Sequence, residues 1–307
     1  MRAAVLDIGT NSTRLLVAEV DPSGEVEELV RRSTVTRLGD GVDASGSLSP
    51  AAIERTCAAL GEYRELIDDN SCEANIAVLT SAVRDAANGP AFTERVRRDY
   101  ALAARTLSGD EEAQLTFLGA MHDRQSSSEP TVVIDIGGGS TEFIIGRDST
   151  AAFHVSLPAG VVRMSERHIH TDPPAPAELQ SLAHDTRETF LAGLPPERRA
   201  PVTRGIAVAG TATSAASIDQ ELDPYDPARV HGYPLLLATV ELLLARLADM
   251  DEAQRRQVVG LLPDRASTIV AGMVLLSEAL RAFELDQVEV SEHDILLGGA
   301  LRLAGVA

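Results

Sequence analysis

The apolar and polar positions of the chain change period along its length. Residues 3–8 and 14–20 are short, nearly continuous apolar runs separated by a small-polar turn. They predict two buried strands, with a third around 26–32. Ser49 followed by Pro50 predicts a helix start, because proline at the first helical position loses no needed hydrogen bond. Beyond it Ile53, Cys57, Leu60 and Ile67 fall near one helical face. Residues 75–80 read as a short buried strand, 90–99 as a helix, 100–107 as another strand, and SGDEEAQLTFLGAMHD as a helix. The segment 125–130 is serine-rich, closes on Pro130 and predicts a linker. After it the strand–turn–strand pattern restarts at Thr131. Amphipathic helices are expected over 177–191, 234–248 and 267–282, a short strand over 205–209 running into GTATSAA, and a final small-residue-rich helix over 292–304. The pattern predicts two α/β domains with mixed sheets, residues 1–124 and 130–307, with the last helix able to pack back on the first domain.

The restart is a near-copy of the beginning. VLDIGTNSTRLL and VVIDIGGGSTEFII share Val5/Val133, Asp7/Asp135, Ile8/Ile136, Gly9/Gly137, Ser12/Ser140 and Thr13/Thr141, which reads as internal duplication. Each copy places an aspartate at the end of a strand, then glycine, then hydroxyls. Gly9 and Gly137, Gly138 and Gly139 are expected to allow positive φ and close backbone approach. Successive N–H groups in such turns form a concave anion site, to which Ser12, Thr13, Ser140 and Thr141 add hydroxyl donors. The apolar residues that follow close a hairpin. This separates the element from the P-loop and dinucleotide motifs, whose glycine turn feeds a helix. Two such loops facing each other with Asp7 and Asp135 suggest a divalent cation between phosphates, and Mg2+ is the natural choice.

Composition narrows the chemistry. The 307 residues carry a formal charge of −19, which argues against non-specific nucleic-acid binding. No apolar run is long enough to span a membrane. The N-terminal residues enter a strand without the pattern of a secretory signal, and the 2 cysteines are expected to be reduced thiols, so a cytoplasmic protein is expected. All 27 basic residues counted as lysine or arginine are arginine. A Walker-type lysine, a kinase strand lysine and a Schiff-base lysine are thereby excluded. Phosphate must be handled by backbone N–H groups, hydroxyls, arginine and metal.

DIGTNSTR and DIGGGSTE resemble the two phosphate loops of the exopolyphosphatase/guanosine pentaphosphate phosphatase (Ppx/GppA) family, within the acetate-and-sugar-kinase/Hsp70/actin superfamily. TSAVRDAAN, SGDEEAQLTFLG, LPAGVVRMSE, GIAVAGTATSAA, RVHGYPL and VSEHDILLGGAL are further matches, in order from residue 5 to residue 301. The resemblance implies two actin-like (ribonuclease H-like) domains facing across a central cleft. It also implies hydrolysis of the terminal phosphate of inorganic polyphosphate or guanosine pentaphosphate with Mg2+, and a homodimer. Thr10 stands where the family often has serine and keeps the hydroxyl. DILLGGA stands where many members have a leucine-arginine-glutamate-glycine run. The chain is similar to the short, two-domain type.

Ser108 followed three residues later by Glu111 forms a capping-box pattern, which leaves Glu112 unused by the cap. The resemblance places the catalytic glutamate at Glu112, as the base that takes a proton from the attacking water. It places a phosphate-contacting arginine at Arg84, the expected clamp on the transferred group. Glu142 follows the second loop and reads either as a metal or water ligand or as a hairpin-edge acid. Asn11 suits a left-handed turn or a phosphate contact. Gly210 and Thr211 open a helix whose amides either bind a further phosphate or support packing; in the superfamily this region lies toward the nucleotide. His231 has no evident partner, and His168 and His170 lack a zinc-like ligand set. Arginine clusters are short (Arg31/Arg32, Arg95/Arg97/Arg98, Arg198/Arg199, Arg255/Arg256), which predicts a preference for short polyphosphates. A kinase using the same loops and a non-catalytic sensor of polyphosphate or an alarmone are the competing readings.

Overall fold

The structure is a computed structural model and describes residues 1–124, 129–148 and 150–306. Most of the expected linker, 125–128, lies outside the described residues. The chain divides into two compact units: Met1–His122 with His293–Ala307, and Asp123–Glu292. The final helix therefore belongs to the first unit.

Unit 1 is built on the strands β1 (Arg2–Ile8), β2 (Ser12–Val20), β3 (Val26–Val35), β4 (Ala74–Leu79) and β5 (Ala104–Thr106). Among the described residues their order is β3-β2-β1-β4-β5. β1, β2 and β3 form an antiparallel meander, while β4 and β5 run parallel to β1. β1 reads as an unbroken apolar run because it is central and covered on both faces. On one face Leu6, Ile8, Leu15 and Val17 pack with Leu60, Tyr63 and Ile67 of the helix Pro50–Asp69. On the other, Val5, Leu16 and Ala18 pack with Leu296, Leu297, Ala300 and Leu301 of the helix Ile295–Ala304. That helix lies against the helix Gly109–Met121 at backbone contact. A Cβ on Gly119 would stand 1.9 Å from the Asp294 carbonyl oxygen, and one on Gly298 would stand 1.9 Å from that of Leu115. Only glycine permits this approach.

Unit 2 repeats the plan with β6 (Thr131–Ile136), β7 (Thr141–Arg147), β8 (Thr150–Leu157), β9 (Arg204–Val208), β10 (Pro234–Leu236) and β11 (Gln287–Val290). The order is β10-β11-β9-β6-β7-β8, with β6, β7 and β8 antiparallel and β9 and β11 continuing parallel to β6. Read from the meander outward, β8-β7-β6-β9-β11 matches β3-β2-β1-β4-β5. The duplication seen in the loops thus extends to the topology of both sheets.

Several element boundaries differ from expectation. The strand expected over 100–107 is confined to Ala104–Thr106, since the preceding helix runs through Tyr100 and stops on Ala101, which adopts a φ of 50°. The helix expected over 234–248 begins only at Leu237, because Pro234–Leu236 pairs with β11 as an edge strand, a position where proline is tolerated. The last helix starts at Ile295, capped by Asp294, which accepts the amide of Leu296.

Candidate active site

In unit 1 the helix Gly109–Met121 begins with the expected capping box. Ser108 Oγ accepts the Glu111 amide at 3.2 Å, and Glu111 Oε2 accepts the Ser108 amide at 2.9 Å. Arg105 also holds Glu111, at 2.8 Å. Glu112 is therefore free of capping duty. Its carboxylate is largely buried and accepts from Arg84 Nη1 at 2.8 Å. Arg84 projects from the short helix Ser81–Asp85, just after β4, and also donates to the Leu107 carbonyl at 3.3 Å. The two residues that sequence reasoning set in catalytic roles are thus direct partners. Burial pushes the Glu112 carboxyl above the ordinary glutamate value; Arg84 opposes this, and the charges of Asp7 and Asp85 add to it.

The first loop joins β1 to β2, closed by the Gly9 amide donating to the Ser12 carbonyl at 3.0 Å. Its carbonyls are tied down: Asn11 accepts from the amides of Thr36 and Arg37, and Thr10 from that of Gly39. Thr10 Oγ1 pairs with Ser81 Oγ at 2.9 Å, so the loop is linked to the helix that bears Arg84. The methyl of Thr10 fills the space above Gly39, where a Cβ would lie 2.2 Å from it. Antiparallel register sets Asp7 opposite Arg14. Arg14 donates through Nε at 3.0 Å and Nη2 at 2.6 Å, both to Asp7 Oδ2, and through Nη1 to Asp294. Asp7 Oδ1 is buried without a hydrogen-bond partner. Burial raises the Asp7 carboxyl despite Arg14. For Asp294 burial acts in the same direction, but Arg14, Arg31 and the Leu296 amide outweigh it and hold the group below the usual aspartate value. Each carboxylate takes two N–H donors; the directions differ because Arg31 adds its charge at Asp294, while Asp7 feels the negative charge of Asp294.

In unit 2 the second loop has the same closure, Gly137 amide to Ser140 carbonyl at 3.0 Å. Here the register sets Asp135 opposite Glu142. Where unit 1 has an acid facing a base across the ladder, unit 2 has two acids facing each other. Glu142 is buried and accepts from Ser156 Oγ at 2.6 Å. The start of the helix Val161–His168 supports the loop from below: the amides of Val161 and Val162 donate to the carbonyls of Gly137 and Gly138 at 2.9 Å. Arg163 Nε donates to Gly139 at 2.8 Å. Gly160 is required for this approach, since a Cβ there would stand 2.4 Å from the Gly138 carbonyl and the Ser140 amide nitrogen.

Several expectations are corrected. Gly9, Gly137, Gly138 and Gly139 do not take positive φ; Gly9 and Gly137 serve close approach, with a Cβ falling 3.1 and 3.3 Å from the carbonyls of Ser12 and Ser140. Asn11 is not left-handed either, while Arg37 nearby is, at 47°. The hydroxyls of Thr13 and Thr141 face inward, Thr13 to Thr36 at 3.0 Å and Thr141 to the Ala159 carbonyl at 2.5 Å, both fully buried. These bonds anchor both threonines within their loops. Gly210 lies under the Arg265 guanidinium, where a Cβ would come 1.4 Å from Nη1, and Thr211 is buried against Gly272. His231, without an evident partner in the sequence, bonds Asp123 at 2.8 Å and accepts the Glu292 amide at 3.2 Å. His168 ties Ser181 to Asp185 on the helix Pro176–Gly193. Sequence reasoning missed Arg14, Asp294, Gly160 and Arg163.

Two mixed sheets of like topology, each opening with an Asp-Ile-Gly hairpin loop, define a protein of the actin-like ATPase-fold class. The chain belongs to the Ppx/GppA phosphatase family, whose model matches residues 16–300. It is 37% identical to Exopolyphosphatase 2 of Mycobacterium tuberculosis, with 99% of each chain covered. Among solved structures it is similar to an exopolyphosphatase from Cytophaga hutchinsonii, at 25% identity, TM-score 0.90, and coverage of 100% and 99%. It is also similar to the Aquifex aeolicus member of the family, at 29% identity, TM-score 0.84, and coverage of 100% and 98%.

Proposed function

We propose that this protein is an exopolyphosphatase that removes the terminal phosphate of inorganic polyphosphate by attack of water. The observation that carries the reading is the pairing of the largely buried Glu112 with Arg84 at 2.8 Å, beside the first phosphate loop. Arg84 takes the non-bridging oxygens of the terminal phosphoryl group, and in doing so leaves Glu112. The carboxylate, now without its counter-charge in a buried position, takes a proton from water as the water oxygen bonds to phosphorus. The bridging P–O bond breaks, and orthophosphate and a chain one unit shorter leave. The amides of the loops around Gly9 and Gly137–Gly139, with Thr10, Ser12 and Ser140, bind phosphate oxygens.

The acids present fit a magnesium ion. In unit 1, Asp7 offers its unpartnered Oδ1; in unit 2, Asp135 and Glu142 lie side by side. Each set, taken within its own unit, would hold Mg2+, which when bound neutralises charge on phosphate oxygens.

A preference for short chains is supported by what the arginine clusters do. Arg31 is paired with Glu28, Arg95 with Glu54, Arg97 with Glu94, and Arg98 with Asp99. Arg255 and Arg256 pair with Asp172 and Glu252, and Arg198 lies over the Phe153 ring. With Arg31, Arg95, Arg97, Arg98, Arg255 and Arg256 each matched by an acid in place, these clusters make a poor track for a long polyanion. The test is phosphate release in Mg2+ from short and long polyphosphate, guanosine pentaphosphate and ATP. Faster turnover of short polyphosphate is expected; processive degradation of long chains with little action on short ones overturns the chain-length reading, and failure to act on any polyphosphate overturns the function.

A further inference from the structure

Asp7, Arg14 and Asp294 form a buried chain within unit 1 that the proposed chemistry leaves unexplained. Two carboxylates share one guanidinium, and side-chain exposure is 9% for Asp7, 18% for Arg14 and 3% for Asp294. An arginine facing a lone carboxylate prefers a two-pronged grip, one N–H on each oxygen. Arg14 does otherwise. Its Nε and Nη2 both meet Oδ2 of Asp7, Nη1 is drawn to Asp294, and Asp7 Oδ1 is left buried with no partner. Asp294 is itself fixed, because its other oxygen caps the helix Ile295–Ala304 by accepting the Leu296 amide at 3.0 Å. The Asp7 carboxylate lies under the first glycine of the loop, where a Cβ on Gly9 would be 3.9 Å from either oxygen.

The charge count points the same way. Arg14 is shared between two acids while Arg31 acts on Asp294 as well, so Asp7 has the weaker share of positive charge and keeps a buried oxygen with no donor, which is costly unless a cation completes it. The duplicated hairpin of unit 2 has glutamate at the position of Arg14, so its aspartate faces an acid across the ladder where Asp7 faces an arginine.

We infer that Asp294 is a positioning residue: by holding Arg14 from behind, it confines Arg14 to one oxygen of Asp7 and keeps Oδ1 open for a divalent cation. The inference rests on the metal-dependent phosphohydrolase reading above. Without Asp294 the guanidinium closes over both Asp7 oxygens and competes with the ion.

The test is Mg2+ binding to the full-length protein by titration calorimetry, with polyphosphate hydrolysis measured across Mg2+ concentration. Asp294→Asn keeps an acceptor for the Leu296 amide and removes the charge. It is expected to weaken Mg2+ binding about tenfold or more, as loss of a partner behind a metal ligand does. The lost rate returns as Mg2+ is raised, and KM for polyphosphate at saturating Mg2+ stays near that of the parent. In an Arg14→Gln background the same change has no further effect on Mg2+ affinity, because Asp294 acts through Arg14. Arg14→Lys, a single point charge unable to span both acids, also weakens binding and serves if the asparagine variant does not fold. Unchanged Mg2+ affinity in either single variant, or additive losses in the double variant, overturns the inference. A parent that hydrolyses polyphosphate but binds no Mg2+ overturns it while leaving the general-base reading standing. A parent that binds Mg2+ with the expected order of variants but releases no phosphate overturns the proposed function and not this inference.

Discussion

Replacing Glu112 with glutamine tests the chemistry at its most sensitive point. The amide keeps the size of the side chain and an oxygen that can accept from Arg84 Nη1, now 2.8 Å away. It cannot take a proton. Positioned general bases contribute about 10²–10⁴ in rate, so kcat should fall by that factor, or about 3–5 kcal/mol in the barrier. The loss should appear in kcat with little change in KM, since phosphate binding falls to Arg84 and the loops. Stability should move the other way. Burial raises the folded-state carboxyl above its unfolded value, so the folded state binds the proton more tightly. The stability this group contributes is then lost as pH rises from the ordinary glutamate value through the raised one. Above both, the buried carboxylate is a liability, and the glutamine variant should melt at or above the parent temperature. Activity of the parent should fall on the acid side through that raised value. Phosphate release and calorimetry give both readouts. A variant retaining more than about a tenth of the parent kcat is incompatible with general-base catalysis on the scale cited.

Other substitutions probe the supports of the site. Gly160→Ala drives a methyl to 2.4 Å from the Gly138 carbonyl and should displace the second loop; we expect at least a tenfold loss of activity and about 1–3 kcal/mol of stability, read by hydrolysis rates and urea melts. Gly298→Ala sets a methyl 1.9 Å from the Leu115 carbonyl and pushes the helix carrying Glu112 away from the helix Ile295–Ala304; a loss of stability of similar size, about 1–3 kcal/mol, should show in the same melts. Glu142→Gln removes one of two facing acids and should weaken Mg2+ binding by calorimetry while leaving the metal-free melting temperature unchanged or raised.

The strands, the two loops and the capping box were legible because each is local. An apolar run ending in Asp-Ile-Gly, then hydroxyls, then another apolar run, states its own hairpin, and the copy 128 residues later (135 − 7) states the duplication. The inward turn of Thr13 and Thr141 was also available and was missed. Alternation along β2 places Thr13 with Leu15 and Val17, and along β7 places Thr141 with Phe143 and Ile145, all on core faces. The same parity sets Asp7 and Arg14 on the face of Val5 and Leu16, which the helix Ile295–Ala304 covers. What alternation could not supply is that Asp294, 280 residues from Arg14, caps that helix and takes its guanidinium. Gly160 escaped for a similar reason: its requirement comes from backbone 22 residues earlier in sequence (160 − 138), which no spacing rule anticipates. Pro234 suggested a helix start because the apolar residues after it are ambiguous in period, and only pairing with β11 shows the edge strand.

The central claim is that water, activated at Glu112, attacks the terminal phosphorus of polyphosphate. The most direct measurement is hydrolysis of a short polyphosphate with Mg2+ in ¹⁸O-labelled water, with mass analysis of the orthophosphate and of the remaining chains. The account predicts that chains shorten one unit at a time, that the first orthophosphate released carries the solvent oxygen, and that Glu112→Gln suppresses both. Internal cleavage giving mid-length fragments, or label found only in the shortened chain, contradicts it.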